Sequence, residues 1–385
     1  PAMAVEANGK IHLTWMDLAA DGLQIMYSSS LDGLSWSRPK NVSNSRAASA
    51  SAFPSIVVDD LGVVHLTWME GRTADFDIYY SHFKDKEWSE PRNVSNLKGI
   101  SQRPQMAIDS AGKVHVVWYD NTSGFFELFH CWREGATWSK PKNTRLVDWY
   151  ITHDPRYWMT AGLAADVSGH LRLVWTDIYD HTQALSYSRW NGESWSQPEN
   201  ISSKPVRPRS PYVDTDAGGN VHLTWEDNGE VWYCHSDGRA WSVPFNLSDG
   251  VQLSSSPALC LAQNGDVHLA WSGSLFDRVH LFHRRFDGKE WSHIAKLSKA
   301  RGKPNGVALS FQNPKTLHVA WMDDSPGNVD IFHKQGLPSE ITEAAHLEPQ
   351  DVHDFYNRGV SWVRMRELDK ALKDFNEAIN LDSHY

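Results

Sequence analysis

Seven repeated four-stranded units closed into a β-propeller, followed by a short helical hairpin, make the mainly β fold class that three observations in this 385-residue chain predict. The first is tryptophan, 19 copies against 14 Phe and 12 Tyr, a usage that isolated core positions do not explain. The second is a segment of the form His-x-x-Trp that recurs seven times, with Arg172 in place of the His in the fourth, its Trp spaced by 53, 50, 57, 50, 46 and 50 residues: Trp15, Trp68, Trp118, Trp175, Trp225, Trp271 and Trp321. The third is the loss of that period after Thr342, where apolar residues fall at helical spacing instead.

Each repeat reads as four strands in a fixed order. An alternating stretch such as Pro104–Asp109 precedes a Gly turn, and the His-x-x-Trp strand follows. A third strand carries Tyr or Phe with Ser or His, as in Tyr80-Ser81, and Asp32-Gly33, Asn191-Gly192, Asp237-Gly238 and Asp287-Gly288 are hairpin turns after it. The fourth strand holds Trp-Ser, at Trp36, Trp88, Trp138, Trp195, Trp241 and Trp291, and in repeats one, two, four and five ends in Pro-x-Asn-(Val/Ile/Leu)-Ser. Four strands in about 50 residues is the period of a propeller blade. The seventh repeat has no second Trp, and Pro338–Thr342 matches the closing motif in shortened form. It is expected to form a stunted outer strand near 336–342, with a strand from upstream of Pro1 as the competing way to complete the blade.

The repeated His invites a metal reading, which the geometry of a propeller opposes. One His in each of six blades lies at one structural position, so the six cannot converge on an ion, and a buried, hydrogen-bonded His is expected at each. No metal and no cofactor are expected. The marker Trp are read as core.

Hairpins such as Ser29-Ser-Leu-Asp32-Gly33-Leu-Ser-Trp36 and Ser188-Arg-Trp-Asn191-Gly192-Glu-Ser-Trp195 resemble the Asp-box (BNR) repeats of sialidase-like propellers. The resemblance spans about residues 1–342. Its boxes are degenerate: counted from Ser29 and Ser188, Leu31 and Trp190 stand where the family has Asp. It implies a propeller, and for catalysis an arginine triad, a Tyr-Glu pair and an Asp acid. No residue-by-residue match to that set is present, although Arg103, Arg156 and Arg209 each lie near the start of a first strand.

Beyond residues 343–351, read as a linker, Val352, Phe355, Gly359, Trp362, Ala371, Phe375 and Ala378 follow the spacing of one tetratricopeptide (TPR) unit over 352–385, with a turn near Arg366–Asp369. The resemblance implies a groove for a partner protein. One unit cannot bury its own apolar face, so further units are expected in the parent chain.

Composition narrows the partners. A content of 41% hydrophobic and 22% charged residues excludes a mainly disordered chain, and a net charge of −10 without a basic patch argues against nucleic acid. No apolar run reaches membrane-spanning length in the sequence as given, and Cys131, Cys234 and Cys260 have no metal-ligand spacing. Compartment is left open.

Loops carry function in such a scaffold. Acidic residues two beyond the marker Trp (Asp17, Glu70, Asp120, Asp177, Asp227 and Asp323) would form a ring, read as turn chemistry. The long connection between repeats three and four departs from the pattern: Asp148, Trp149, Tyr150, His153, Asp154, Arg156, Tyr157 and Trp158 combine aromatic faces with polar groups suited to a sugar or peptide. With Arg103 and Arg209 they are the candidate ligand-binding residues, and no catalytic residue is assigned. The expectation is a non-enzymatic recognition or scaffold protein that binds a glycan or protein on its loop face and a protein through the TPR. The alternative is a sialidase-like glycoside hydrolase.

Overall fold

The computed structural model describes residues 1–19, 22–45, 49–72, 75–147, 159–179, 182–202, 207–276, 278–298, 302–324, 329–341, 343–344, 352–364 and 368–381. Seven antiparallel sheets follow one another along the chain. In blade one the strands are Ala2–Val5, Ile11–Ala19, Gly22–Ser30 and Lys40–Asn41, each paired with the next. The first strands of successive blades touch all the way round, and the first meets the seventh, which closes the ring. They surround a channel cavity of about 480 Å³.

The repeat motif fixes the interfaces between blades. Marker Trp68, Trp118, Trp175, Trp225, Trp271 and Trp321 are buried, each in one cluster with side chains of the preceding blade. Thus Trp68 shares its cluster with Ile25, Tyr27 and Val42 of blade one, and Trp118 with Ile78, Tyr80 and Val94 of blade two. The second Trp covers the other end of the interface by standing edge-on to the third-strand ring of the blade before it. Tyr27–Trp88, Tyr80–Trp138 and Tyr233–Trp291 have centroids 4.9 Å apart, Tyr187–Trp241 and His333–Trp36 5.0 Å, and His130–Trp195 5.5 Å. Burial of side chains of this size dominates the cohesion of each interface.

Two expectations are corrected. Blade seven has three strands among the described residues, Asn305–Asn313, Thr316–Asp323 and Asp330–Gly336. The predicted outer strand near 336–342 is instead one helical turn, α1 (Pro338–Ile341), and Glu343–Ala344 pairs with Ala295–Lys296 of blade six. The physical reason is local: Gly336, at φ 149°, turns the chain, and the Leu337 N–H and the carboxylate of Glu340 bond to each other across the turn. Trp15, expected to be as buried as its counterparts, is only partly so.

The chain ends in a helical pair, α2 (Val352–Arg364) and α3 (Leu368–Leu381). A Cβ on Gly359 would stand 2.5 Å from the Phe375 ring, so the helices touch where the small residue sits. Arg358 forks onto Asp374 at 2.6 and 2.7 Å, and the Trp362 indole N–H donates to the same carboxylate at 3.1 Å. Ile379 and Leu381 are exposed.

Candidate active site

The repeated His has a side-chain hydrogen-bond partner within its own blade at all six of its positions, as expected. His65 Nε2 donates to Asp59 Oδ2 at 3.3 Å, which leaves Nδ1 to accept the Tyr80 hydroxyl at 2.7 Å. His12 repeats this with Glu6 and Tyr27, and His115 with Asp109 and His130. Burial holds His12 and His65 down to about 4, so they stay neutral. In blade four Arg172 replaces the His and donates to Asp166. Among the described residues no group of His, Cys, Asp or Glu is arranged to hold a metal ion.

The acidic ring is likewise largely consumed by local bonds. Glu70 accepts the Trp68 indole N–H at 2.9 Å, Asp120 the Ser101 hydroxyl and the Thr122 N–H, Asp177 the Trp175 indole N–H, and Asp227 the Arg207 N–H.

The distinctive chemistry lies at the mouth where first strands begin and second strands end. Phe53, Arg103, Ser210 and Ser256 each precede a proline and carry positive φ, 53°, 55°, 48° and 52°, and Gly306 holds the same place in blade seven at φ 60°. Each sits in a bulge that shifts the pairing with the second strand. A bulge re-aims its side chain, and left-handed non-glycine residues cost about 1–3 kcal/mol each, a strain that gathers at functional sites. Here the re-aimed groups run from blade to blade. The Arg103 guanidinium lies 4.4 Å from the centre of the Phe53 ring, the Ser210 N–H donates to Thr160 Oγ1 at 3.2 Å, and Ser256 Oγ donates to Asn305 Oδ1 at 2.9 Å.

Arg209 stands directly across the sheet from Glu226. Burial raises the Glu226 carboxyl from its ordinary range, while Arg209 and the backbone N–H of Ser256 pull it back less strongly. Asp227 beside it is raised by burial as well. Tyr119, the counterpart of Glu226 in blade three, is buried and donates to the Thr160 carbonyl at 3.2 Å. Deeper in the channel, burial pushes Asp214 up to about 6.

Of the predicted site residues, Arg103 and Arg209 lie at this mouth. They are not equivalent, because Arg103 occupies the bulge and Arg209 precedes it by one residue. Asp148, Trp149, Tyr150, His153, Asp154, Arg156, Tyr157 and Trp158 lie outside the described residues. Phe53, Glu226 and Asp214 were not singled out by motif reasoning. The recurring residue-before-proline in the first strands was the available signal for the mouth.

No protein-family model matches the chain, and no curated protein matches it. Solved structures do match its fold. A polysaccharide lyase, an ulvan lyase, covers 96% of this chain with 95% of its own at a TM-score of 0.63 and 11% identity, and another structure of that family is bound to -[GlcA(1-4)Rha3S]-. The α-L-arabinofuranosidase of Fusarium graminearum covers 76% of this chain with 94% of its own, TM-score 0.52, 16% identity. A leech intramolecular trans-sialidase covers 89% with 68% of its own, TM-score 0.50, 10% identity.

At such identities the likeness is one of fold. This chain is a seven-bladed β-propeller with sialidase and glycoside hydrolase propellers among its structural neighbours. The expectation of a non-enzymatic scaffold is corrected here, because these neighbours of the same fold are carbohydrate-active enzymes. That expectation rested on missing linear motifs, whereas a propeller assembles a site from single residues on separate blades.

Proposed function

We propose that the propeller is a carbohydrate-active enzyme of the glycoside hydrolase type, working on an anionic saccharide at the bulge-lined mouth. The observation that carries the reading is Glu226, a half-buried carboxyl with a raised pKa directly across the sheet from Arg209. A carboxyl that burial makes hold its proton more tightly than usual can give that proton to a leaving glycosidic oxygen. Arg209 and Arg103 supply positive charge for a carboxylate or sulfate on the sugar, and the Phe53 ring beside Arg103 supplies an apolar face. The segment 148–158 belongs to the same proposal by its place in the chain, since it leads toward the first strand of blade four at Ala161. The arabinofuranosidase among the neighbours supports the hydrolase reading, and the -[GlcA(1-4)Rha3S]- bound to the ulvan lyase supports an anionic saccharide.

The test is a panel of anionic and neutral polysaccharides with a chromogenic sialoside and arabinofuranoside, followed by reducing ends and by the ultraviolet absorbance of unsaturated products. The expected result is new reducing ends without unsaturation, a kcat lowered about 100-fold or more in Glu226→Gln, and a raised KM in Arg209→Ala. No turnover across the panel, or full kcat in Glu226→Gln, overturns the reading.

We also infer that the first hairpin is a degenerate Asp box and that α2 and α3 are one TPR unit serving a partner protein. Support for the first is that Ser30 Oγ bonds Asp32 Oδ1 at 3.0 Å while that oxygen accepts the Leu34 and Ser35 N–H groups. Support for the second is the close approach of Gly359 to Phe375 and the buried Ala371 and Ala378. Removal of 352–385 would test the second, by leaving the propeller folded while abolishing capture of a partner already identified with the whole chain.

A further inference from the structure

The interface between blades six and seven departs from the rule of the other six. His283 occupies the place that Tyr80 has in blade two, and no second Trp exists in blade seven to stand against it. In that place lies a cavity of about 710 Å³, lined by His268, His283, Phe311 and Pro338 among others. This volume falls within the range of about 300–1,000 Å³ typical of ligand sites. Along its side the third strand of blade seven, Asp330–Gly336, has no further strand paired to it among the described residues.

A second vacancy lies on the far side of the same missing strand. In blades one, two, four, five and six an aliphatic residue six beyond the second Trp shares a cluster with the marker Trp of the next blade, as Val42 does with Trp68 and Leu247 with Trp271. Among the described residues blade seven offers no such residue from a fourth strand, and Trp15, which would receive it, is the marker Trp that is not fully buried. The two vacancies are therefore the two footprints of one extended segment.

We propose that this seam is a strand-acceptor site. It takes an extended peptide segment of the form Trp-Ser-x-Pro-x-Asn-(Val/Ile/Leu)-Ser from a partner polypeptide. The segment adds to the edge of Asp330–Gly336, seats its Trp against His283 and its aliphatic residue against Trp15. Main-chain pairing supplies affinity and the two side-chain pockets supply selectivity, as in other strand additions. Two hydrogen bonds repeated in the filled blades specify the register. The Ser after Trp accepts a backbone N–H, that of His82 in blade two and Arg285 in blade six, and Gln335 is the counterpart in blade seven. The closing Ser accepts another, that of Ile78 or Leu281, and Ile331 is its counterpart. A second copy of the chain is a poor donor, since its own Trp-Ser strands are already paired within blades.

The probe is the chain's own blade-four strand as a synthetic peptide, Gly192–Ser202, titrated into the full chain by calorimetry and by hydrogen exchange. Saturable one-to-one binding is expected, with new amide protection over 330–336 and a higher Tm. Replacing the peptide's Trp by Ala should weaken binding at least about tenfold. Ser339→Trp, at an exposed position on the cavity wall, should block the peptide while leaving the Tm of the free protein unchanged. Absence of saturable binding, equal binding of the Trp-to-Ala peptide, or binding without protection at 330–336 overturns the proposal.

Discussion

Tyr80 of blade two meets the edge of Trp138 of blade three, ring centroids 4.9 Å apart and planes at 74°, while its hydroxyl reaches back to His65 within its own blade. One residue thereby joins the polar interior of a blade to the apolar seam beside it. The same junction recurs through Tyr27, Tyr187 and Tyr233.

Marker tryptophans should rank by how well the preceding blade covers them. Trp118→Ala is expected to cost about 3–5 kcal/mol in denaturant unfolding, and Trp15→Ala clearly less, because blade seven leaves it partly open. Equal losses would show that Trp15 is covered in solution.

Acid should weaken the propeller through its neutral histidines. His12, His65, His268 and His318 are held near 4 by burial, so between about pH 4 and 6.5 the unfolded chain binds more protons and stability falls as pH falls. Each contributes about 2 kcal/mol at pH 5. Thermal melts at pH 7 and pH 5 should separate accordingly, and His65→Gln should narrow the gap.

Asp214 works in the opposite sense. Its carboxyl, pushed up to about 6, is least costly when protonated, so this residue destabilises the fold as pH rises from about 4 through 6. Asp214→Asn should raise stability at pH 7 by about 2 kcal/mol, with channel water screening part of the charge, and change little at pH 4. A neutral effect at pH 7 would mean that the carboxylate is well solvated in the channel.

The helical pair carries its own test. Gly359→Ala puts a methyl into the Phe375 ring, which cannot swing away as a flexible chain would. Circular dichroism should report a loss of helix near 352–381 with the propeller transition unmoved.

The repeat was legible because most blades spend the same residues on the same contacts, so the marker Trp located strand two in all seven blades and Trp-Ser the outer strand in the first six. Blade seven was misjudged at 336–342, since Pro338–Thr342 looks like a closing motif and only the backbone turn at Gly336 diverts it. The mouth was half legible: Arg103 and Arg209 stood out as charges near strand starts. Glu226 did not, because its meaning comes from Arg209 across the sheet and from Ser256 in the next blade, which linear spacing does not bring together.

The seam between blades seven and one is latched by two glutamine side chains. Gln312 donates to the carbonyls of Gly9 and Leu31 at 2.8 and 3.0 Å, and Gln335 to that of Asp32 at 2.7 Å. Mechanically the propeller is a split washer, its cut bridged by these polar hooks together with Trp36 against His333, and short of a strand among the described residues on the other side. Tension applied across residues 1 and 341 loads those hooks in opening mode, while every blade lies behind them unstressed. Force spectroscopy should record a low first event as the washer gapes, then the higher forces of blades peeling away one at a time.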